Sequence, residues 1–226
     1  MPPRYSGVVQ ALQLTLYVDG HFTNIWDASC FVALIEKQLE FTTARALLRD
    51  GQGVPAALRD QAAIGRIPAL QHGDVWLTES LAIVEYLEEV FAPPMYTRLL
   101  PPEPARRARA RQVMAWLRSD LWALRQQRPW QAVVYPTTPL APLSPAAERE
   151  AAELVALVDW LDAHGDLATW NVAEADLAFA VMRLARTGYA VSAACLQLLD
   201  RNLARESVRS YVEHARPPNP PPQPRS

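Results

Sequence analysis

Glu79 and Ser80 are the adjacent side chains in this sequence best suited to recognition chemistry. They stand where a short apolar run, Val75 to Leu77, gives way to an amphipathic stretch carrying Leu81, Val84 and Leu87. The first N–H groups of a helix are unpaired and its N-terminal end is partially positive, so a hydroxyl and an amide at that point can hold a carboxylate. Pro68 lies eleven residues before Glu79, within Gly65-Arg66-Ile67-Pro68-Ala69-Leu70. Proline forbids a further ladder partner there. Ordinary roles fit the same residues, with Thr78 or Ser80 as an N-cap and Glu79 as a first-turn acid.

Other chemistries find little support. The histidines stand at 21, 72, 164 and 214, none at ligand spacing from another histidine or from a cysteine, so no metal is expected. Gly51-Gln52-Gly53-Val54-Pro55-Ala56 matches a dinucleotide fingerprint in its alanine form, but Arg49 and Asp50 precede it in place of a strand and Pro55 interrupts the turn. There is no Gly-x-Ser-x-Gly, no phosphate-binding P-loop and no Cys-x-x-Cys. Arg106, Arg107, Arg109 and Arg111 read as the solvated face of a helix. Cys30 falls on the apolar side of a helix, where a buried inert thiol is the commoner state.

The elements that must position Pro68, Glu79 and Ser80 emerge from periodicity. Leu12, Leu14 and Leu16 alternate with polar residues as in a half-buried strand, and a helix is predicted over 25–38 with Asn24 as its N-cap. Residues 39–46 read as a second strand, 56–61 as a short helix, 69–71 and 75–77 as a hairpin turning at His72-Gly73-Asp74, and 81–91 as a helix. Five prolines between 92 and 104 mark a linker. Beyond it the pattern is helical: 105–128 as one long helix, a proline-punctuated loop, then 145–164, 173–187, 192–203 and 206–215. Asn171-Val172-Ala173-Glu174 has the form of a capping box. The expected domains are therefore 11–91, a linker at 92–104, a helical domain at 105–216 and a disordered tail at 217–226, where six of ten residues are proline.

These residues resemble the glutathione S-transferase family, whose thioredoxin-like first domain carries a Val/Ile-Pro-x-Leu segment and, eleven residues past its proline, a Glu-Ser pair. Ile67-Pro68-Ala69-Leu70 and Glu79-Ser80 supply both, with Ile83, Glu85-Tyr86-Leu87 and Asn171 to Asp176 at corresponding places. Ala108 to Gln112, Trp116 to Leu121 and Arg128-Pro129 are similar in particular to the bacterial YfcF-type branch. The resemblance covers all but about ten residues at each end. It implies an α/β thioredoxin-like domain followed by an all-α helical domain, and a cis Ile67–Pro68 bond. Glutathione is implied as co-substrate, its cysteinyl unit on Ile67, its γ-glutamyl carboxylate on Ser80 and its ammonium on Glu79. Gln52 and Arg66 are candidates for the glycyl carboxylate.

Transfer from glutathione needs its sulfur as thiolate, and relatives donate a hydrogen bond to it from a serine or cysteine at the start of the first helix. Setting Ala33-Leu34 against the family pattern puts that position on Asn24, with Thr23 the second choice. Neither usual residue is present, so Asn24 can equally be only a helix cap. Lack of a cysteine there argues against a route through an enzyme mixed disulfide. The electrophile is expected between the domains, walled by 105–128, with Trp116, Arg118 and Trp122 as candidates.

Composition sets the wider bounds. The chain has 226 residues, half of them apolar, with 22 basic against 24 acidic side chains. That profile belongs to a folded protein and shows no overall basic field for nucleic acid or anionic membrane. Two distant cysteines, no signal-peptide pattern and no run of about 18 apolar residues predict a reduced, cytoplasmic setting. The reading is a cytoplasmic homodimeric glutathione transferase acting on a small electrophile or peroxide, with glutathione-dependent peroxidase or disulfide-reductase activity also implied. The alternative is a non-catalytic glutathione-binding or interaction module of the same fold.

Overall fold

A computed structural model describes residues 13–46, 54–135 and 140–219. Gln52, the Gly51 to Gly53 part of the fingerprint-like turn and most of the proline tail lie outside the described residues. The first part of the chain forms β1 (Leu14–Asp19), α1 (Ile25–Glu36), β2 (Phe41–Ala46), α2 (Ala56–Gln61), β3 (Ala69–His72), β4 (Val75–Thr78) and α3 (Ser80–Val90). Seven helices succeed them among the described residues: α4 (Pro104–Ser119), α5 (Trp122–Gln127), α6 (Trp130–Val134), α7 (Pro145–Ala163), α8 (Val172–Ala185), α9 (Ala193–Leu203) and α10 (Glu206–Val212).

The sheet has the order β2-β1-β3-β4, with β1 and β2 parallel and the other pairs antiparallel. A parallel pair needs a crossover, and α1 supplies it. Leu14, Leu16 and Val18 of β1 are buried while Thr15 and Tyr17 are half-buried, so the alternation read in the sequence sets the face that meets the core. β2 lies at the edge and is more exposed, which is why its pattern gives a weaker signal and the strand begins at Phe41, two residues later than expected.

The predicted long helix over 105–128 is two helices. α4 stops at Ser119, and Leu121 adopts a left-handed conformation with φ 59°. Ser119 and Asp120 are residues whose side chains compete with helical bonding, and the Ser119 hydroxyl is engaged with the carbonyls of Ala115 and Trp116. The new helix start is capped from a distance, since the Glu150 carboxylate accepts from the N–H groups of Ala123 at 3.2 Å and Leu124 at 2.7 Å. The expected loop after Pro129 contains the short helix α6.

The capping box at Asn171 is half of what its spacing suggests. Asn171 Oδ1 accepts from the Ala173 N–H at 3.0 Å, but Glu174 does not reach back. Its carboxylate is buried and accepts from Arg201 Nε at 2.9 Å, an ion pair to α9 that outcompetes the cap. α8 is buried on nearly every face and contacts α1, α4, α7 and α9, which makes it the axis of the helical half.

Several polar contacts tie α1 to the chain that follows it. Lys37, the sole lysine of the chain, is buried at the end of α1 and donates to the carbonyls of Phe91 at 2.8 Å and Thr97 at 2.9 Å, with Glu88 2.8 Å away. Arg205 clamps Glu36 through two bonds of 2.8 and 2.6 Å. Cys30 and Cys195 are both buried and free, and burial pushes both thiols above their ordinary pKa. No described helix is long and apolar enough to cross a membrane.

Candidate functional site

The eleven-residue spacing between Pro68 and Glu79 is a consequence of hairpin register. Ala69 pairs with Thr78 at the open end of the β3–β4 ladder, so Pro68 and Glu79 flank its last pair in the chain. The Ile67–Pro68 bond is cis. Neither the N–H nor the C=O of Ile67 has a hydrogen-bonding partner among the described residues. Glu79 has φ 68°, a left-handed turn that ends β4 and starts α3 on Ser80. Its carboxylate is half exposed and lies 3.2 Å from Arg66 Nη1. Arg66, Ile67, Pro68, Glu79 and Ser80 thus share one end of the sheet.

Ser80 is buried and its hydroxyl meets a residue of the helical half. Arg118 Nε on α4 donates to Ser80 Oγ at 2.9 Å, its Nη2 donates to Ser29 Oγ on α1 at 3.1 Å, and its Nη1 donates to Asp176 Oδ2 on α8 at 2.7 Å. The guanidinium also lies 4.6 Å over the Trp26 ring. A hydroxyl that accepts from a cation keeps its own proton to donate, so Ser80 is a polarised donor beside a fixed positive charge at a helix start. The sequence alone places Arg118 among three wall candidates and does not single it out. Two signals point to it: Arg118 borders the buried stripe of Ala110, Val113, Met114 and Leu117, and Asp176 interrupts an apolar run. Of the other two candidates, Trp122 is exposed and Trp116 lines a groove with Arg109, Gln112 and Trp160.

Asn24 and Thr23 sit at the start of α1. Asn24 Oδ1 accepts from the Trp26 N–H at 3.0 Å, and its Nδ2 donates to Asp27 Oδ1 at 2.8 Å. A carboxamide carries two N–H donors, and the second has no partner among the described residues. The Asn24 carbonyl accepts from the Tyr211 hydroxyl at 2.7 Å, so α10 buttresses this position. Thr23 is turned inward, its hydroxyl and N–H both donating to Asp19 Oδ2, the latter at 3.0 Å. Asp27 is fully buried and receives the Asp19 N–H at 2.6 Å, and burial raises its pKa well above the usual carboxylate range. Ser29 lies five residues along α1 from Asn24, about 7.5 Å at the helical rise, which sets the scale between the cap and the Arg118 cluster.

Among the described residues no group of three or more histidines, cysteines or acids is placed to hold a metal ion.

Comparisons with known proteins give the family. The model of the glutathione S-transferase N-terminal domain matches residues 28–90, and that of the glutathione S-transferase C-terminal domain matches 103–215. A glutathione transferase homologue from Burkholderia BGR1, solved with bound glutathione, is 33% identical with TM-score 0.72, covering 89% of this chain and 97% of its own. Glutathione transferase Omega 3C from Trametes versicolor shares the fold at 21% identity and TM-score 0.67, over 88% of each chain. Human glutathione S-transferase theta-1 is 33% identical over 95 residues, 42% of this chain and 39% of the human one. The chain belongs to the glutathione S-transferase family.

Proposed function

We propose that this protein binds glutathione along the open end of its hairpin and activates the thiol for attack on a small electrophile. The observation that carries the reading is Ser80 at the head of α3, flanked by the half-exposed Glu79 and held at 2.9 Å by the Arg118 guanidinium. The γ-glutamyl carboxylate takes the Ser80 hydroxyl and N–H, its ammonium takes Glu79, and the cysteinyl peptide unit pairs with the free backbone groups of Ile67. Arg66 suits a role beside Glu79 better than one at the glycyl carboxylate, given their ion pair. The glycyl role of Gln52 stays a sequence-based proposal. The Burkholderia relative with bound glutathione supports the choice of co-substrate.

A free thiol has a pKa near 8.5, so ionising most of it at pH 7 requires a shift of about two units, roughly 3 kcal/mol. One hydrogen bond to a charged sulfur contributes about 1.5–3 kcal/mol, and the start of α1 adds a further favourable field. Asn24 has a spare N–H for that bond, whereas the single hydroxyl proton of Thr23 is directed to Asp19. Asn24 is therefore our assignment as donor, with Thr23 as a fixed part of the turn. The thiolate then forms the new bond to the electrophilic carbon with its lone pair, and the leaving group departs with the bonding electrons. A hydroperoxide or a disulfide can be attacked by the same thiolate, which makes reductase chemistry part of the proposal. A cytoplasmic homodimer of the YfcF-type branch is the setting we infer from composition and from residues 108–129.

The capping bonds of Asn24 favour a second reading, in which the fold binds glutathione without turnover. Retention on immobilised glutathione, followed by assays with an aryl halide, a hydroperoxide and a mixed disulfide, separates the two. Retention with any of the three activities is expected; retention with none supports the binding module, and no retention contradicts both.

A further inference from the structure

Asp27 stands three residues past the N-cap of α1 and is fully buried. An acid at that position ordinarily reaches back to the backbone N–H of the capping residue or stays solvated in the first turn. Asp27 takes different partners. Its Oδ1 accepts from the side-chain Nδ2 of Asn24 at 2.8 Å, and its Oδ2 accepts from the backbone N–H of Asp19 on β1 at 2.6 Å. Burying a carboxylate is costly, and burial raises the Asp27 pKa well above the usual range. The helix cap alone does not call for that cost, because the Asn24 side chain already closes on the Trp26 N–H at 3.0 Å.

The bond to Trp26 fixes the Asn24 oxygen but leaves the amide plane free to pivot about it. The second bond, from Nδ2 to Asp27, fixes the plane, and a carboxamide held at both atoms has one N–H left, pointing in one direction. The Asp19 N–H in turn keeps the carboxylate from swinging toward another donor. A protonated Asp27 still offers a carbonyl oxygen to Nδ2, so this hold does not depend on its charge. Asp19 on β1, Cys30 on α1 and Tyr211 on α10 are the titratable groups on which that charge bears. Burial holds Cys30 and Tyr211 well above their ordinary pKa, so neither ionises together with a glutathione thiol.

We infer that Asp27 is a positioning residue for the transfer, fixing the Asn24 amide so that its remaining N–H is presented to the glutathione sulfur. The inference rests on the assignment of Asn24 as thiolate donor. Charge cannot be the reason for an acid here, because a carboxylate disfavours a second anion nearby. Positioning and charge therefore predict opposite signs when Asp27 is changed. Asp27→Asn keeps the volume but leaves one acceptor for two donors. The Asp19 N–H, fixed in the backbone, keeps that acceptor, and the new amide nitrogen then meets Asn24 Nδ2 and turns it away.

The readout is the pKa of the bound glutathione thiol, taken from the ultraviolet absorbance of its thiolate against pH, with the same variant free of glutathione as the blank. Asp27→Asn should raise that pKa by at least about half a unit with glutathione affinity retained, and should add nothing when made on top of Asn24→Ala. Asp27→Ala removes both acceptors and takes a desolvated acid out of the core, so it keeps the test decisive if Asp27→Asn fails to fold. A pKa that Asn24→Ala raises but the Asp27 substitutions leave unchanged or lower overturns the positioning role and leaves the donor assignment standing. An equal rise with and without Asn24 overturns it too, since Asp27 then acts by another route. No shift from Asn24→Ala removes the donor assignment itself, and the role of Asp27 with it.

Discussion

Asn24 and Arg118 carry separable claims at the residue scale. If the spare amide N–H of Asn24 stabilises the thiolate, Asn24→Ala should raise the apparent pKa of the bound thiol by about one unit, lowering kcat/KM about fivefold near pH 6.5 while glutathione affinity stays similar. A pH–rate profile checks this, and an unchanged rate across the range would remove Asn24 from the mechanism. Arg118→Met strips a cation from Ser80 and leaves Asp176, fully buried, without its partner. Glutathione affinity should fall about tenfold and stability by about 3 kcal/mol, read by calorimetry and denaturant unfolding. Pro68, Glu79 and Ser80 are legible in the sequence because a tight hairpin converts register into a fixed spacing. The Arg118–Asp176 pair is not, because 58 residues separate its members and no local pattern joins them.

Helices and strands obey the local rules except where another element intervenes. α2 and the hairpin keep close to the expected bounds because their signals lie in turns and prolines nearby. The break between α4 and α5 is hidden from the sequence because the groups that stabilise it come from Glu150 on α7. Asn171→Ala removes the one working half of the capping box and should cost about 1 kcal/mol, visible as a lowered Tm. His72, at the end of β3, is held against Tyr86 at 2.9 Å, and burial lowers its pKa below 6.5. The folded protein then binds fewer protons than the unfolded chain just below that value. Stability is accordingly full above about pH 6.5 and declines as pH falls through it toward the folded pKa. His214 shifts the same way, chiefly through burial, so His72→Gln should reduce, without removing, the drop in Tm between pH 7.5 and 5.5.

For the whole molecule, the site exists because two halves of different secondary structure are pinned together by a few polar contacts. The Arg205–Glu36 clamp, the Tyr211 bond to Asn24 and the Arg118 cluster each tie the first ninety residues to the rest of the chain. The two-part architecture is readable from the change of period at the proline-rich 92–104 stretch. How the halves dock is not, since the partners are distant in sequence. Titration of the whole protein with glutathione in a calorimeter, beside its Ser80→Ala variant, tests most directly whether the head of α3 is the glutathione grip. Saturable binding with Kd below about 1 mM, weakened about tenfold by the substitution, is the expected result. A flat titration, or one that Ser80→Ala leaves unchanged, would contradict it.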